Sequence, residues 1–166
     1  DIFPGYQILR EISRGGQGVV YQALSKSTKR KVAIKVLREG PFVGVRDRIR
    51  FEREIEVLSQ LNHPNIVAVQ DSGVAGGLHY FVMEFLKGSE LSRLLAKEEP
   101  LPPARALPMM LQVLSALRAA HYLPDGRSLL HLDLKPGNVF VTKSEPEQIK
   151  VIDFGISQHV GAAART

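Results

Sequence analysis

The 166 residues include no cysteine, which excludes a disulfide framework and any cysteine-ligated metal and favours a reducing compartment. No apolar run approaches the roughly 18 residues that cross a bilayer. No amino-terminal stretch joins a basic head to an apolar core, as a secretory leader would. The expectation is a cytoplasmic chain with no membrane segment of its own.

Charge of one sign is also scarce, because 22 Lys and Arg stand against 17 Asp and Glu for a net +5. Arg46, Arg48, Arg50 and Arg53 are interleaved with Glu52, Glu54 and Glu56, and Lys29, Arg30 and Lys31 form a second short cluster. Nucleic acid would favour an uninterrupted basic stripe, so these read as solvated faces and no nucleic-acid partner is expected. Internal repeats and low-complexity segments are absent too. What remains is an ordinary globular balance, 44% hydrophobic and 23% charged, in a length that suits one domain or two small lobes.

Hydrophobic spacing divides the chain. Tyr6, Ile8 and Ile12, then Val20 and Ala23, then the alternating Val32, Ile34 and Val36 predict three strands in an antiparallel meander. Over Arg46 to Leu61 the period changes, with Phe51, Ile55 and Leu58 on one helical face. The helix is expected to end at His63-Pro64-Asn65. Val67 to Gln70 and Leu78 to Phe85 predict two strands around a Gly73 to Gly77 hairpin loop. Beyond Gly88 the pattern turns helical, with a short helix at Leu91, Leu94 and Leu95 and a longer one through Leu111, Val113, Leu114 and Leu117. Pro102 and Pro103 suit its first turn, and Pro108 must kink it or mark its start. Leu129 to Leu132, Val139 to Thr142 and Ile149 to Ile152 predict short strands. The expected fold class is α+β.

Three groups of residues carry chemistry. Ser13-Arg14-Gly15-Gly16-Gln17-Gly18-Val19-Val20 lies between two predicted strands, where glycines let backbone amides approach phosphates. It lacks the lysine and hydroxyl of a P-loop, and a strand follows it, against a dinucleotide fold. Lys35 closes the apolar run Val32-Ala33-Ile34. His131-Leu132-Asp133-Leu134-Lys135-Pro136-Gly137-Asn138 packs an acid, a base and an amide into one loop, and Asp153-Phe154-Gly155 follows. Each alone suits an ordinary turn or a capped loop; their order and spacing together do not.

These residues resemble the glycine-rich, lysine, catalytic and metal-binding motifs of eukaryotic-type serine/threonine protein kinases over essentially the whole chain. The resemblance implies an antiparallel small lobe over residues 1–86 that binds ATP, and a partial helical large lobe over 87–166 that stops within the activation segment. Wording such as Gly16-Gln17-Gly18-Val19-Val20-Tyr21 is similar to bacterial members. It implies transfer of the γ-phosphate of Mg-ATP to a protein Ser or Thr hydroxyl. Asp133 would orient or deprotonate the hydroxyl, Lys135 would support the transferred phosphate, and Asn138 with Asp153 would hold magnesium. Lys35 paired with Glu54 would position ATP. Ile12, Ser13, Gly15, Gly16, Gly18 and Val20 would cover the nucleotide, with Val20, Ala33 and Phe140 around the adenine and Met83, Glu84 and Leu86 forming the gatekeeper and hinge. Leu58, Val69, His131 and Phe154 would stack as the regulatory spine.

Three departures matter. Ser13 replaces the first glycine of GxGxxGxV, which implies weaker phosphate closure. Leu132 replaces the arginine that usually precedes the catalytic aspartate, so activity should not depend on phosphorylation near Thr166 through this residue. The segment Tyr122 to Leu130 exceeds the family's usual turn. No APE-like triplet follows Gly155, which predicts a fragment of a longer kinase with further residues or domains after Thr166. Two other readings share these motifs: a nucleotide-binding pseudokinase or scaffold, and a small-molecule kinase of related fold.

Overall fold

The computed structural model describes residues 2–16, 18–37, 45–98 and 100–154, with the side chains of 45–48, 50–52 and 54 left out. The chain divides into two compact units: one takes residues up to Ser59 together with Ala68–Phe85, the other Gln60–Val67 and the described residues from Leu86 onward.

In the first unit β1 (Tyr6–Gly15), β2 (Gly18–Ser25), β3 (Lys31–Leu37), β4 (Val69–Ala75) and β5 (Leu78–Glu84) build one antiparallel sheet in the order β1-β2-β3-β5-β4. The helix α1 (Val45–Gln60) follows β3 and buries Ile55, Val57 and Leu58. Strand alternation gives the sheet two different faces. On one, Val32, Ile34, Ala23, Tyr80 and Val82 pack with Phe3 into an apolar cluster. Phe3 meets the Tyr80 ring edge-on at 4.9 Å. At the rim of that cluster Tyr6 donates its hydroxyl to Asp71 at 2.9 Å.

The second unit holds β6 (Gly88–Glu90), the short helix α2 (Leu91–Leu95), the long helix α3 (Pro103–His121), a single 3-10 turn at Pro136–Asn138, β7 (Val139–Thr142) and β8 (Ile149–Val151). The strands form a second antiparallel sheet in the order β6-β7-β8. Helix α3 buries Met109, Val113, Ala116 and Ala120. Arg105 on its first turns ion-pairs with Glu147 at 2.7 Å and with Glu98, and both carboxylates raise the guanidinium's pKa.

Four expectations need correction. The hairpin between β4 and β5 turns on Gly76 and Gly77, with φ of +58° and +82°, not on Gly73 to Gly77. Gly73 lies inside β4, where a Cβ would stand 2.7 Å from the Tyr80 hydroxyl, so the glycine makes room for the ring. Leu129 to Leu132 forms no strand. Its side chains do alternate, Leu129 and His131 buried and Leu130 and Leu132 exposed, but Leu132 has φ +64°, which a pleated strand cannot contain. Pro108 does not begin the long helix, which starts at Pro103 and carries Pro108 in its interior. Finally, β6 opens the segment read as helical after Gly88, pairing Gly88 with Thr142.

Candidate active site

In the first unit the face opposite the apolar cluster gathers the predicted nucleotide residues by register. Val20 of β2 pairs with Lys35 of β3, and Lys35 with Phe81 of β5. The neighbouring rung joins Gln22, Ala33 and Met83. Directly paired residues share a face, so Val20, Ala33, Lys35 and Met83 project to the same side. Lys35 is only 4% exposed on this central strand. Lysine is rarely buried to that degree, which marks the position as built for a particular role.

The hairpin between β1 and β2 pairs Gly15 with Gly18 and Ser13 with Val20, with a register shift between Glu11 and Ser13. Its glycines differ. Gly18 has φ +150°, and a Cβ there would stand 2.0 Å from the Val36 carbonyl oxygen; this glycine lets β2 close on β3. At Gly15 and Gly16 a Cβ would meet nothing within 4 Å, so their bareness serves no internal packing. Ile12 is 40% exposed on β1. At the end of β5, Glu84 donates its backbone N–H to the Ala68 carbonyl at 3.0 Å and accepts the Ala68 N–H on Oε1 at 2.9 Å. The Glu54 side chain and Gly155 lie outside the described residues.

The second unit contains Asp133, Lys135, Asn138 and Asp153, with Leu86 and Phe140 elsewhere in it. The Lys135 ammonium stands 2.7 Å from Asp133 Oδ2, and Asn138 Nδ2 donates to the Asp133 carbonyl at 2.8 Å and to its carboxylate at 3.3 Å. A backbone carbonyl only accepts, so the amide orientation is fixed with Oδ1 as the remaining ligand atom. The Lys135 hydrogen bond and charge, aided by Asn138, hold the Asp133 carboxyl below the ordinary carboxylate range against the opposing effect of desolvation. It is therefore ionised at neutral pH.

His131 joins this loop to the next. It is 3% exposed; Nε2 lies 2.8 Å from the Ile152 carbonyl, and Nδ1 accepts the Asp133 N–H at 3.3 Å. One nitrogen must therefore donate and the other accept, which is the neutral ring with its proton on Nε2. The Phe154 ring meets it edge-on at 4.8 Å. The Ile152 N–H donates to the Asn138 carbonyl at 2.9 Å, so both backbone groups of Ile152 are bound by the catalytic-type loop. Asp153 follows with φ +62°. That left-handed turn is uncommon for a non-glycine residue, although aspartate tolerates it better than most, and it is sustained where surrounding bonds over-determine it.

The oxygen donors of Asn138 and Asp153 are hard ligands of the kind magnesium takes, and the Asn138 bonds to Asp133 use Nδ2, not Oδ1. Among the described residues there is no cluster of three or more His, Cys, Asp or Glu that could hold a metal ion. No described helix is long and apolar enough to cross a membrane.

Residues 6–166 match the family model described as the protein kinase domain. The chain belongs to that family. It is 40% identical over 156 residues to serine/threonine-protein kinase pkn3 of Myxococcus xanthus, covering 92% of this chain and 28% of that protein. It is 37% identical over 166 residues to serine/threonine-protein kinase PrkC of Bacillus subtilis (strain 168), covering 97% and 24%. Among solved structures, the PknI kinase domain of Mycobacterium tuberculosis superposes with a TM-score of 0.81 at 34% identity, over 93% of this chain and 61% of that one. The chain thus spans about a quarter of these curated relatives and under two thirds of the solved kinase domain. The protein-kinase-like α+β fold read from the motifs holds, and so does the kinship with bacterial serine/threonine kinases.

Two residues around the site carry roles that the sequence pattern did not assign. In the sequence His63-Pro64-Asn65 marks the end of a helix and helps align Glu54 with the family's helix-C glutamate, with no role for the Asn65 side chain itself, and Gln112 has no assigned role. Asn65 is in fact buried, and its Nδ2 donates to Gln112 Oε1 at 2.8 Å and to the Ile149 carbonyl at 2.9 Å. The available signal was a pair of amide side chains, one after a proline and one within an apolar helix.

Proposed function

We propose that the protein of which this chain forms part is a serine/threonine protein kinase that transfers the γ-phosphoryl group of Mg-ATP to a protein hydroxyl, with this domain in the cytoplasm. The first unit serves as the ATP-binding small lobe and the second as part of the large lobe. The observation that carries the reading is the ionised Asp133 held between the Lys135 ammonium and the Asn138 amide.

Phosphoryl transfer demands mainly positioning and charge neutralisation. The Asp133 carboxylate accepts a hydrogen bond from the substrate hydroxyl and aims its oxygen. Because Lys135 depresses its basicity, Asp133 is a weak base, so the proton reaches it late, when bonding to phosphorus has already acidified the hydroxyl. Lys135, 54% exposed at its side chain, is mobile enough to turn from Asp133 to an oxygen of the transferred group. Lys35 places a positive charge on the nucleotide-facing side of the small sheet, and Glu54 is its proposed partner. The residues that would hold magnesium are Asn138 and Asp153, and the ion there would neutralise the phosphates. Ile12 would help cover the nucleotide, Val20, Ala33 and Phe140 would bracket the adenine with Met83 as gatekeeper, and the backbone of Glu84 and Leu86 would serve as the hydrogen-bonding hinge. Since the Glu84 N–H is engaged by Ala68, its carbonyl is the hinge atom that would accept from the base.

The test is phosphate incorporation from labelled ATP into a serine- and threonine-containing protein substrate by the full-length protein, beside Asp133→Asn. Loss of a general base costs about 10²–10⁴-fold in rate, with nucleotide affinity retained. Nucleotide binding without turnover in both proteins would convert the reading to a pseudokinase. Phosphorylation of a metabolite and of no protein would convert it to a small-molecule kinase.

A further inference from the structure

We propose that Asn65 and Gln112 are positioning residues for Asp153, acting through the outer edge of β8, and that they tune the site's hold on its divalent cation. The inference rests on the kinase reading for the role of Asp153 and on the geometry below for everything else.

Among the named strands of the described residues β8 pairs only with β7; on its other side it meets a single parallel bridge between Ile66 and Val151. The other side of an edge strand would expose a row of unpaired backbone groups. Here each of them is met. The Ile149 N–H donates to Gln112 Oε1 at 2.9 Å, and its carbonyl accepts from Asn65 Nδ2 at 2.9 Å. The two side chains also bond each other at 2.8 Å, so Asn65, Gln112 and the backbone of Ile149 close a triangle. Two residues on, the Val151 N–H donates to the Asn65 carbonyl at 2.8 Å and the Val151 carbonyl accepts the Val67 N–H at 3.0 Å. Main chain at 65–67 continues the ladder that the two amide side chains begin.

The same clamp is oriented from behind. His63 Nδ1 accepts the Asn65 N–H at 3.0 Å, and its Nε2 lies 3.1 Å from the Ser115 hydroxyl. Gln112 Nε2 donates to the Glu147 carbonyl at 3.2 Å. Helix α3 therefore contributes two anchors, Gln112 and Ser115, to the segment that holds β8.

What leaves this clamp is Asp153. Val151 is held on its outer edge by 65–67, and Ile152 is held at both backbone groups by Asn138 and His131. Asp153 then takes its left-handed turn. A left-handed φ persists while its flanks are fixed; the backbone of 65–67 holds Val151, and the Asn65 and Gln112 side chains hold Ile149 two residues earlier in the same strand, so the two amides steady the flank that the catalytic loop does not reach. Groups that orient a metal ligand without touching the metal change affinity by about 10–100-fold when removed.

The experiment uses the full-length protein, a non-hydrolysable ATP analogue and Mg²⁺. Analogue affinity is measured in EDTA and across a Mg²⁺ titration for the wild type, Asn65→Ala, Gln112→Leu and Gln112→Glu. Expected for Asn65→Ala and Gln112→Leu is a Mg²⁺ half-saturation raised about tenfold, with analogue affinity in EDTA unchanged. Gln112→Glu keeps an oxygen acceptor for both Asn65 and Ile149 but loses the donor to the Glu147 carbonyl, so its half-saturation should fall between those of the wild type and Gln112→Leu. In metal-free protein the Ile149 amide, which donates to Gln112 Oε1, should exchange with solvent faster in Gln112→Leu, a readout independent of any ligand. Unchanged half-saturation in a folded Asn65→Ala or Gln112→Leu protein overturns the proposal. So does an equal loss of affinity with and without Mg²⁺, which would make the clamp merely structural. A wild type that binds the analogue with no Mg²⁺ dependence overturns the magnesium role of Asp153, and one that binds no analogue at all overturns the kinase reading; both are distinguishable from failure of the clamp because all four proteins would then behave alike.

Discussion

Gly18 and Gly15 sit in one hairpin and should respond to the same substitution in opposite ways. In Gly18→Ala the new methyl would meet the Val36 carbonyl oxygen at 2.0 Å, its carbon at 3.0 Å and Leu37 Cα at 3.2 Å. All three are backbone atoms of β3, so no rotamer change relieves the clash and the β2–β3 ladder must part at the Gly18–Leu37 rung. Alanine at φ +150° costs on the order of 1–3 kcal/mol, and overpacking against a fixed neighbour adds about 1–3 kcal/mol. The reduced freedom of the unfolded chain offsets about 0.4–1 kcal/mol. The net loss is about 1–6 kcal/mol, a large share of the 5–15 kcal/mol typical of a domain. Gly15→Ala meets nothing within 4 Å and should shift stability by no more than about 0.5 kcal/mol. It should weaken nucleotide binding instead, because a methyl would intrude where backbone amides approach the phosphates. Urea unfolding followed by circular dichroism, with the slope held common, measures the first effect; calorimetric titration with Mg-ATP measures the second. A Gly18→Ala protein of wild-type stability would refute the steric argument, and unaltered nucleotide affinity in Gly15→Ala would remove that glycine from the phosphate site.

Leu132→Asn should stabilise the protein by about 1 kcal/mol, since leucine pays a left-handed penalty at φ +64° that asparagine largely escapes, while the 55% exposed side chain gives up little burial. An unfolding midpoint lower than wild type would contradict this. Burial, aided by the nearby Lys150 charge, lowers the pKa of His63, so the unfolded chain takes up its proton first as acid is added. Stability is then full above the ordinary histidine value near 6.5 and falls as pH drops below it. His63→Asn, which can keep an oxygen acceptor for the Asn65 N–H, should flatten that decline; an unchanged pH profile of the melting temperature would exclude His63 as its source. Ile34→Ala, at a fully buried core position, should cost about 2–5 kcal/mol in thermal or urea unfolding, and a cost below about 1 kcal/mol would show that the apolar cluster on that face of the sheet repacks freely.

Legibility in the sequence followed the range of the forces involved. The strands of the small sheet were readable because alternation in Val32 to Val36 is local, and their register then delivers Val20, Ala33, Lys35 and Met83 to one face. The catalytic-type loop was readable because Asp133, Lys135 and Asn138 are close in sequence and bond one another directly. Leu129 to Leu132 misled for an instructive reason. Its alternation of burial is real, but the backbone beside it is drawn to side chains and to the following segment, with His131 bonding Ile152 across twenty-one residues. Gly88-Ser89-Glu90 carries no apolar alternation at all, and becomes β6 only because Val141 and its neighbours offer an edge.

The same distinction explains why Asn65 and Gln112 escaped notice. Their bonds span 84 and 37 residues to Ile149, and polar side chains that substitute for a missing strand leave no periodicity behind. Two left-handed residues, Leu132 and Asp153, stand at the two ends of the chemistry, each directly beside backbone that His131 bonds: the Asp133 N–H after the first, the Ile152 carbonyl before the second. A single buried imidazole thus couples the turn that presents Asp133 to the turn that presents Asp153. That coupling uses both ring nitrogens, Nδ1 toward the Asp133 N–H and Nε2 toward the Ile152 carbonyl. The site's two strained turns are accordingly one unit, locked by His131 from within and by the Asn65–Gln112 clamp from outside.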